Sequence, residues 1–89
     1  MNAQQLAPGH AGDVTMVLCT LQPGCSSSGK MVSHLYTEVC FVIAGRIRAL
    51  RAGGEELLGP GDTIRVTPGV LHDFYNVGDA PAVVLAVTF

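Results

Sequence analysis

Charged residues are scarce in this chain of 89 amino acids. Only 13% of its residues are charged, against about 25% in a typical soluble domain, whereas 48% are apolar. A domain this small buries only roughly 60–65% of the surface of its unfolded chain, so its own core cannot hide so much apolar surface. We therefore expect a self-association surface, most simply that of a two-fold homodimer.

Basic residues and long apolar runs are also missing. Five Lys and Arg residues stand against seven acidic ones, which gives a net charge of −2 and argues against nucleic acid as a partner. Arg46, Arg48 and Arg51 lie close together, and we interpret them as a solvated strand face. No stretch approaches the roughly 18 apolar residues of a membrane helix, so we expect no membrane partner.

The cysteines do not form a disulfide framework. The chain has an odd number of cysteines, namely Cys19, Cys25 and Cys40, and none of them form a CxxC pair. The N-terminus lacks the basic start and apolar run of a secretory signal, so the sequence predicts a reducing, cytoplasmic location. Cys19 and Cys40 fall in apolar segments and are expected to pack in the core, whereas Cys25 falls in a loop.

No segment repeats its apolar residues with the helical period of 3.6. Short runs rich in β-branched residues alternate with Gly- and Pro-containing turns every roughly 8–12 residues, which is typical of an all-β sandwich or barrel. We interpret residues 1–12 as a loose N-terminal arm, with an edge strand as the one element it could form, and residues 13–89 as a single β-barrel domain. The predicted strands cover residues 14–21, 31–35, 38–44, 46–51, 55–58, 63–66, 71–77 and 82–89.

The last predicted strand, residues 82–89, is apolar and carries no charged residue. An exposed sheet edge of this kind promotes aggregation. We therefore expect this strand to lie in the middle of a sheet or beneath a partner subunit.

Two segments carry side chains that can bind a metal ion. The first contains His34 and Glu38, and the second contains His72. On a straight strand, four residues at about 3.3 Å each would separate His34 from Glu38 by about 13 Å, so a bulge or turn must bring them together. Two imidazoles and one carboxylate form a metal-binding set that leaves coordination positions open.

The first segment resembles the first motif of the cupin superfamily, a group of small jelly-roll β-barrels. His34, Glu38 and Gly45 stand at the positions of the second His, the Glu and the closing Gly of that motif. Val32 occupies the position of the first His. The match is therefore to three of the four motif positions.

The second segment resembles the second cupin motif more fully. Gly61, Gly69, His72 and Asn76 are in register with it, and Thr67 stands where a Pro is usual. Four positions match over sixteen residues, which makes this the more specific signal. The resemblance as a whole extends over residues 14–89.

The resemblance implies an all-β, cupin-type jelly-roll barrel that binds a divalent transition metal ion, with Fe, Mn, Ni, Zn and Cu all open. It also implies dioxygenase, isomerase or decarboxylase chemistry on a small organic molecule. The implied metal ligands are His34, Glu38 and His72. From strand parity, we expect the substrate pocket to include Tyr36, Cys40 and Phe74.

The valine at position 32 leaves a second interpretation open. Its side chain has no lone pair, so at most three of the four usual ligands are present. The site then either keeps three protein ligands with open positions for substrate, or is weakened or absent. In the latter case the barrel is a non-catalytic module that binds or senses a small molecule such as a sugar or an aromatic acid.

Overall fold

A computed structural model describes residues 2–7 and 14–89 of the chain. In these residues the secondary structure is entirely β, which confirms the predicted fold class. The strands are β1 (Asn2–Ala7), β2 (Thr15–Leu21), β3 (Glu38–Ala44), β4 (Ile47–Arg51), β5 (Gly54–Leu58), β6 (Thr63–Val66), β7 (His72–Asn76) and β8 (Ala82–Thr88). Over the same residues, no helix has the length and apolar character needed to cross a membrane.

The strands form two antiparallel sheets of a jelly-roll sandwich. The larger sheet has the order β1-β2-β8-β3-β6, and the smaller has the order β5-β4-β7. Strand β8 is paired with β2 on one side and β3 on the other, so the expectation of a central position for the last strand is confirmed. Its backbone groups are satisfied on both sides, and no apolar edge is left there.

One part of the chain adopts an alternative that the sequence left open, and another differs from the prediction. Residues 2–7, in the arm for which an edge strand was left open, pair with β2 as the edge strand of the larger sheet. Residue 1 and residues 8–12 of that arm lie outside the described residues. The strand predicted over residues 31–35 was wrong, because only Val32 forms an isolated bridge, to His72, and the chain then bends at Leu35 and Tyr36.

The core lies between the two sheets. Along β2, β8 and β3, alternate residues face inward, and the register aligns them across the sheet, as in the row formed by Val17, Ala86 and Cys40. Cys19 packs against this core, as expected, and Cys25 is exposed. The buried core residues are Cys40, Val42, Ile47, Ala49, Leu58, Ile64, Val66, Phe74, Ala82, Val84 and Ala86.

The same three strands carry a second apolar surface on their other side. We call it the outer face, and it consists of Met16, Leu18, Thr20, Val39, Phe41, Val83, Leu85 and Val87. Phe41 is exposed, and the other seven are half-buried. The register places Arg65 of β6 beside Val39, at the edge of this surface. The three strands β2, β8 and β3 are therefore mainly apolar on both sides.

Gly45 makes the turn between the two sheets possible. Its φ is +87°, and a Cβ there would lie 2.7 Å from the Cα of Ala82. We expect Gly45→Ala to lower the free energy of unfolding by about 2–4 kcal/mol, because it combines left-handed backbone strain with overpacking. Urea denaturation measures this loss.

Gly53 provides the matched control for that experiment. Its φ is +93°, but no atom lies within 4 Å of the added Cβ, so Gly53→Ala should cost only about 1–2 kcal/mol of backbone strain. Equal losses at the two positions would show that the contact with Ala82 does not matter.

Candidate metal centre

The three predicted metal ligands lie together in the fold. Glu38 is the first residue of β3, His72 is the first residue of β7, and His34 lies in the loop before β3. Their ligand atoms all lie within 4.8 Å of one another. The bend at Leu35 and Tyr36 is the turn that the spacing of His34 and Glu38 required.

Hydrogen bonds fix the two histidine-bearing segments relative to each other. The carbonyl oxygen of His34 accepts a 2.9 Å bond from the N–H of Gly69, in the turn that precedes β7. The N–H of His72 donates to the carbonyl of Val32 at 2.8 Å, and the N–H of Val32 donates back at 2.9 Å. The His34 loop is therefore held against the start of β7 by main-chain bonds that do not depend on a metal ion.

The His72 ring is oriented as a metal ligand needs. Its Nδ1 lies 2.9 Å from the carbonyl oxygen of Val70. Because a carbonyl only accepts, Nδ1 carries a hydrogen, and in the neutral ring the lone pair is therefore on Nε2. Nε2 lies 3.6 Å from Oε1 of Glu38, and the side chain is only 3% exposed. A backbone carbonyl that fixes the second ring nitrogen is a common feature of metal-binding histidines.

Aromatic contacts support both imidazoles. The His34 ring stacks on Tyr36, with centroids 4.8 Å apart and an interplanar angle of 20°. It meets the His72 ring edge-on at 4.9 Å. On its other side, His72 contacts Phe74 at a centroid distance of 5.6 Å. These ring contacts limit the rotation of both candidate ligands.

The carboxylate of Glu38 has neutral neighbours. The Cys40 thiol donates a 3.4 Å hydrogen bond to Oε1 of Glu38. Burial, and secondarily the charge of Glu38, raises the pKa of the Cys40 thiol far above its ordinary range, and the same causes raise the pKa of the Cys19 thiol. Both thiols therefore stay protonated, and Cys40 supports Glu38 as a donor rather than acting as a thiolate.

A divalent cation fits this donor set. The Glu38 side chain is only 14% exposed, and within the described ranges its ion-pair partner is His72, which is charged only when protonated. A buried carboxylate without a permanent cation is costly. Two imidazole nitrogens and a carboxylate oxygen suit Fe, Mn, Ni, Zn or Cu.

A cavity of about 290 Å³ connects the candidate ligands with the core. All six residues that the sequence pointed to line it: the three candidate ligands together with Tyr36, Cys40 and Phe74. The other walls come from the inward side of β2, the end of β8 and the loop that contains Ser27 and Ser28.

Asp73 holds the serine loop against the cavity. It is buried, and its Oδ1 accepts bonds from the Ser27 hydroxyl at 2.8 Å and the Ser28 N–H at 3.1 Å. The N–H of Phe74 donates to the same oxygen at 2.9 Å. Ser27 and Asp73 are 46 residues apart, so no local sequence signal could have revealed this contact. The alternation Thr15, Val17, Cys19 and Leu21 could have identified the β2 wall.

Comparisons with known proteins agree on one family. The model of the cupin domain family matches residues 17–88. A cupin 2 conserved barrel domain protein from Salinispora arenicola CNS-205 is 27% identical, with a TM-score of 0.83 over 98% of this chain and 73% of that one. A cupin-like protein from Thermotoga maritima has a TM-score of 0.86 at 19% identity, over 97% of this chain and 65% of that one, and shows the shared fold alone.

One of the similar structures is described as an enzyme. It is a sugar phosphate isomerase from a cupin superfamily, from Silicibacter pomeroyi DSS-3, and it is 31% identical with a TM-score of 0.80. The alignment covers 97% of this chain but only 58% of that protein. No curated protein matches the chain.

Proposed function

Because this chain belongs to the cupin domain family, we propose that it is a small metalloenzyme that acts on a small organic molecule inside its barrel. His34, Glu38 and His72 would hold a divalent transition metal ion: Fe, Mn, Ni, Zn or Cu. The observation that carries the proposal is the convergence of their ligand atoms within 4.8 Å on the wall of a cavity. When bound, such an ion supplies Lewis-acid chemistry, for example polarisation of a carbonyl group.

The residues around the candidate ligands would position them and shape the substrate site. Val70 sets the tautomer of His72, and the Cys40 thiol holds the Glu38 carboxylate. Tyr36 and Phe74 would contact the substrate, and the apolar walls would exclude water from the reaction. The reaction would be that of a dioxygenase, an isomerase or a decarboxylase. The isomerase from S. pomeroyi supports the second of these, since it is 31% identical.

A binding or sensor module is the second candidate function. Val32 supports it, because this residue bridges to His72 but its side chain has no lone pair for a metal ion. With only three protein ligands, the site would bind metal weakly or not at all. The cavity would then hold a sugar or an aromatic acid without converting it.

Metal analysis distinguishes the two candidates. We expect the untagged protein, purified without chelator, to contain about one transition metal ion per chain, as a single three-ligand site predicts. A chelator should remove the ion, and adding the metal back after the chelator is removed should restore the metal content. Elemental analysis by mass spectrometry measures the content. If none of the five metals binds after reconstitution, only the binding module remains.

The free thiols support a cytoplasmic location, which we propose as well. Cys19, Cys25 and Cys40 are all unpaired in the described structure, and Cys25 is exposed. An exposed thiol persists most readily in a reducing compartment.

We also propose that the protein is a homodimer that associates through its outer face. Apart from the hydroxyl of Thr20, the described side chains of this face are apolar, and among the described residues Arg65 is the charge that the register places beside them. A second copy offers the same uncharged, self-complementary surface, and two-fold symmetry brings the two together. A charged partner protein would meet few complementary charges on this face.

A single charge on the outer face should separate the subunits. We expect Leu85→Glu to convert a two-chain particle into a one-chain particle in size-exclusion chromatography with light scattering, because it buries an unpaired carboxylate. Leu57→Glu makes the same change at an exposed residue of β5, outside the outer face, and should leave the dimer intact. A wild-type protein that stays monomeric at about 100 µM, far above a micromolar dissociation constant, would contradict the proposal.

A further inference from the structure

The cavity is lined by no Lys or Arg side chain among the described residues. All five Lys and Arg residues belong to the described part of the chain, and none of them lines it. Arg48 pairs with Glu55, and Arg51 pairs with Glu56 and bonds the carbonyl of Arg65. The other Lys and Arg residues are exposed: Lys30, Arg46 and Arg65. None of the five therefore supplies a counter-charge to a ligand in the cavity.

Apart from the three candidate ligands, the side chains that line the cavity are uncharged. Glu38 is its one carboxylate among the described residues. Hydroxyl groups come from Thr15, Ser27, Ser28 and Thr88, and from the phenol of Tyr36. The hydrocarbon surface comes from Val17, Leu21, Phe74, Val84 and Ala86. Asp73 stands behind the serine loop, where three donors already engage its carboxylate, so it adds no positive group.

This distribution permits an anionic group at only one place. Next to His34, Glu38 and His72, a bound metal ion would balance one anionic group of the ligand. A second anionic group would lie among hydrocarbon and hydroxyl groups, where it would lose its hydration and be repelled by Glu38. The cavity volume, about 290 Å³, is also at the small end of ligand sites, which are roughly 300–1,000 Å³.

We propose that the cavity selects a small molecule with a single anionic, metal-chelating group and an uncharged, mainly apolar remainder, such as a short 2-oxo monocarboxylate. This inference rests on the proposed metal site. It implies that phosphorylated and dicarboxylate compounds bind poorly. The similarity to a sugar phosphate isomerase would then extend to the fold and not to the phosphate group of its substrate.

A matched pair of ligands tests the inference. Protein loaded with Co²⁺ is titrated with 4-methyl-2-oxopentanoate and with 2-oxoglutarate, which share the chelating group but differ in the charge at the far end. Calorimetry and the visible absorption of Co²⁺ both report binding, at one fixed ionic strength. We expect the first compound to bind at least about tenfold more tightly, because its far end needs no counter-charge.

An added cation should weaken or abolish the preference. Thr15 is half-buried at the start of β2 and lines the cavity, so Thr15→Lys supplies the missing positive group. We expect this variant to bind 2-oxoglutarate at least about tenfold more tightly relative to 4-methyl-2-oxopentanoate than the wild type does. Thr63→Lys, on an exposed position of β6 that does not line the cavity, should leave the ratio unchanged.

The outcomes separate this inference from the proposed function. If the protein takes up no metal ion, the proposed function fails and the inference fails with it. If Co²⁺ is bound but 2-oxoglutarate binds as tightly as 4-methyl-2-oxopentanoate, or neither binds, only the inference is wrong. A Thr15→Lys variant that binds Co²⁺ but keeps the wild-type ratio would also count against it.

Discussion

Glu38→Gln should lower the affinity for the metal ion at least about 100-fold, because loss of an outer-shell partner alone typically costs 10–100-fold. Glu38 is the one anionic member of the candidate ligand set. Glutamine has nearly the same shape, so the cavity stays intact while the charge is lost. Competition with a chromophoric chelator measures the affinity of both proteins for the same metal.

Glu55→Gln is the matched control. Glu55 is an exposed carboxylate on β5 whose partner is Arg48, and its replacement should change metal affinity by less than about twofold. The Glu38→Gln protein should also remain folded without metal, because the substitution removes a largely buried charge that lacks a permanent cation. Wild-type metal affinity in this variant would contradict the assignment of Glu38 as a ligand.

Asn76→Asp should be the most destabilising of the substitutions considered for this chain. Asn76 is 1% exposed, and its Nδ2 donates to the carbonyl oxygens of Leu21 and Ala80, both at 2.9 Å. Its Oδ1 accepts from the N–H of Gly78 at 2.8 Å. An aspartate keeps the acceptor oxygen but replaces the NH2 group, with its two donors, by a charged oxygen that faces two carbonyl oxygens. We expect a loss of about 3–5 kcal/mol in the free energy of unfolding.

Urea denaturation at neutral pH measures that loss. It is a large part of the roughly 5–15 kcal/mol by which domains are stable, so partial unfolding in buffer is itself an expected result. Gln22→Glu makes the same amide-to-acid change at an exposed loop position and should stay within about 0.5 kcal/mol of the wild type. An Asn76→Asp protein as stable as that control would show that the three bonds of Asn76 do not stabilise the fold.

The local signals of the sequence were sufficient for most strands. In β3, the alternation of Cys40 and Val42 with Phe41 separates the buried from the exposed side, and the structure has the same pattern. The absence of charge in β8 indicated its central position. Both signals arise because a strand buried on one face alternates apolar with polar residues, whereas a strand buried on both faces is apolar throughout.

The segment before β3 shows where such signals fail. Val32, His34 and Leu35 resemble a strand in composition, yet Leu35 is fully exposed and the segment is not a strand. Its main-chain bonds go to His72 and Gly69, which are distant in sequence. Strand formation depends on such partners more than on the residues themselves.

The candidate site was predictable in its members but not in its geometry. The motif positions pointed to His34, Glu38 and His72, while the distance along a straight strand argued against a shared site. The bend that brings the first two together, and the bridge from Val32 that brings the third, are tertiary features. The contact between Ser27 and Asp73 belongs to the same class.

The two-sided construction of the larger sheet has a further consequence. On β8, Val84 and Ala86 border the cavity, and Leu85 between them belongs to the outer face. Ligand preference and subunit association can therefore be altered separately by substitutions at alternating positions. Deleting one residue from a turn is different, because a slip of one position exchanges the two sets along a whole strand. The spacing between these residues is thus less tolerant of change than the residues themselves.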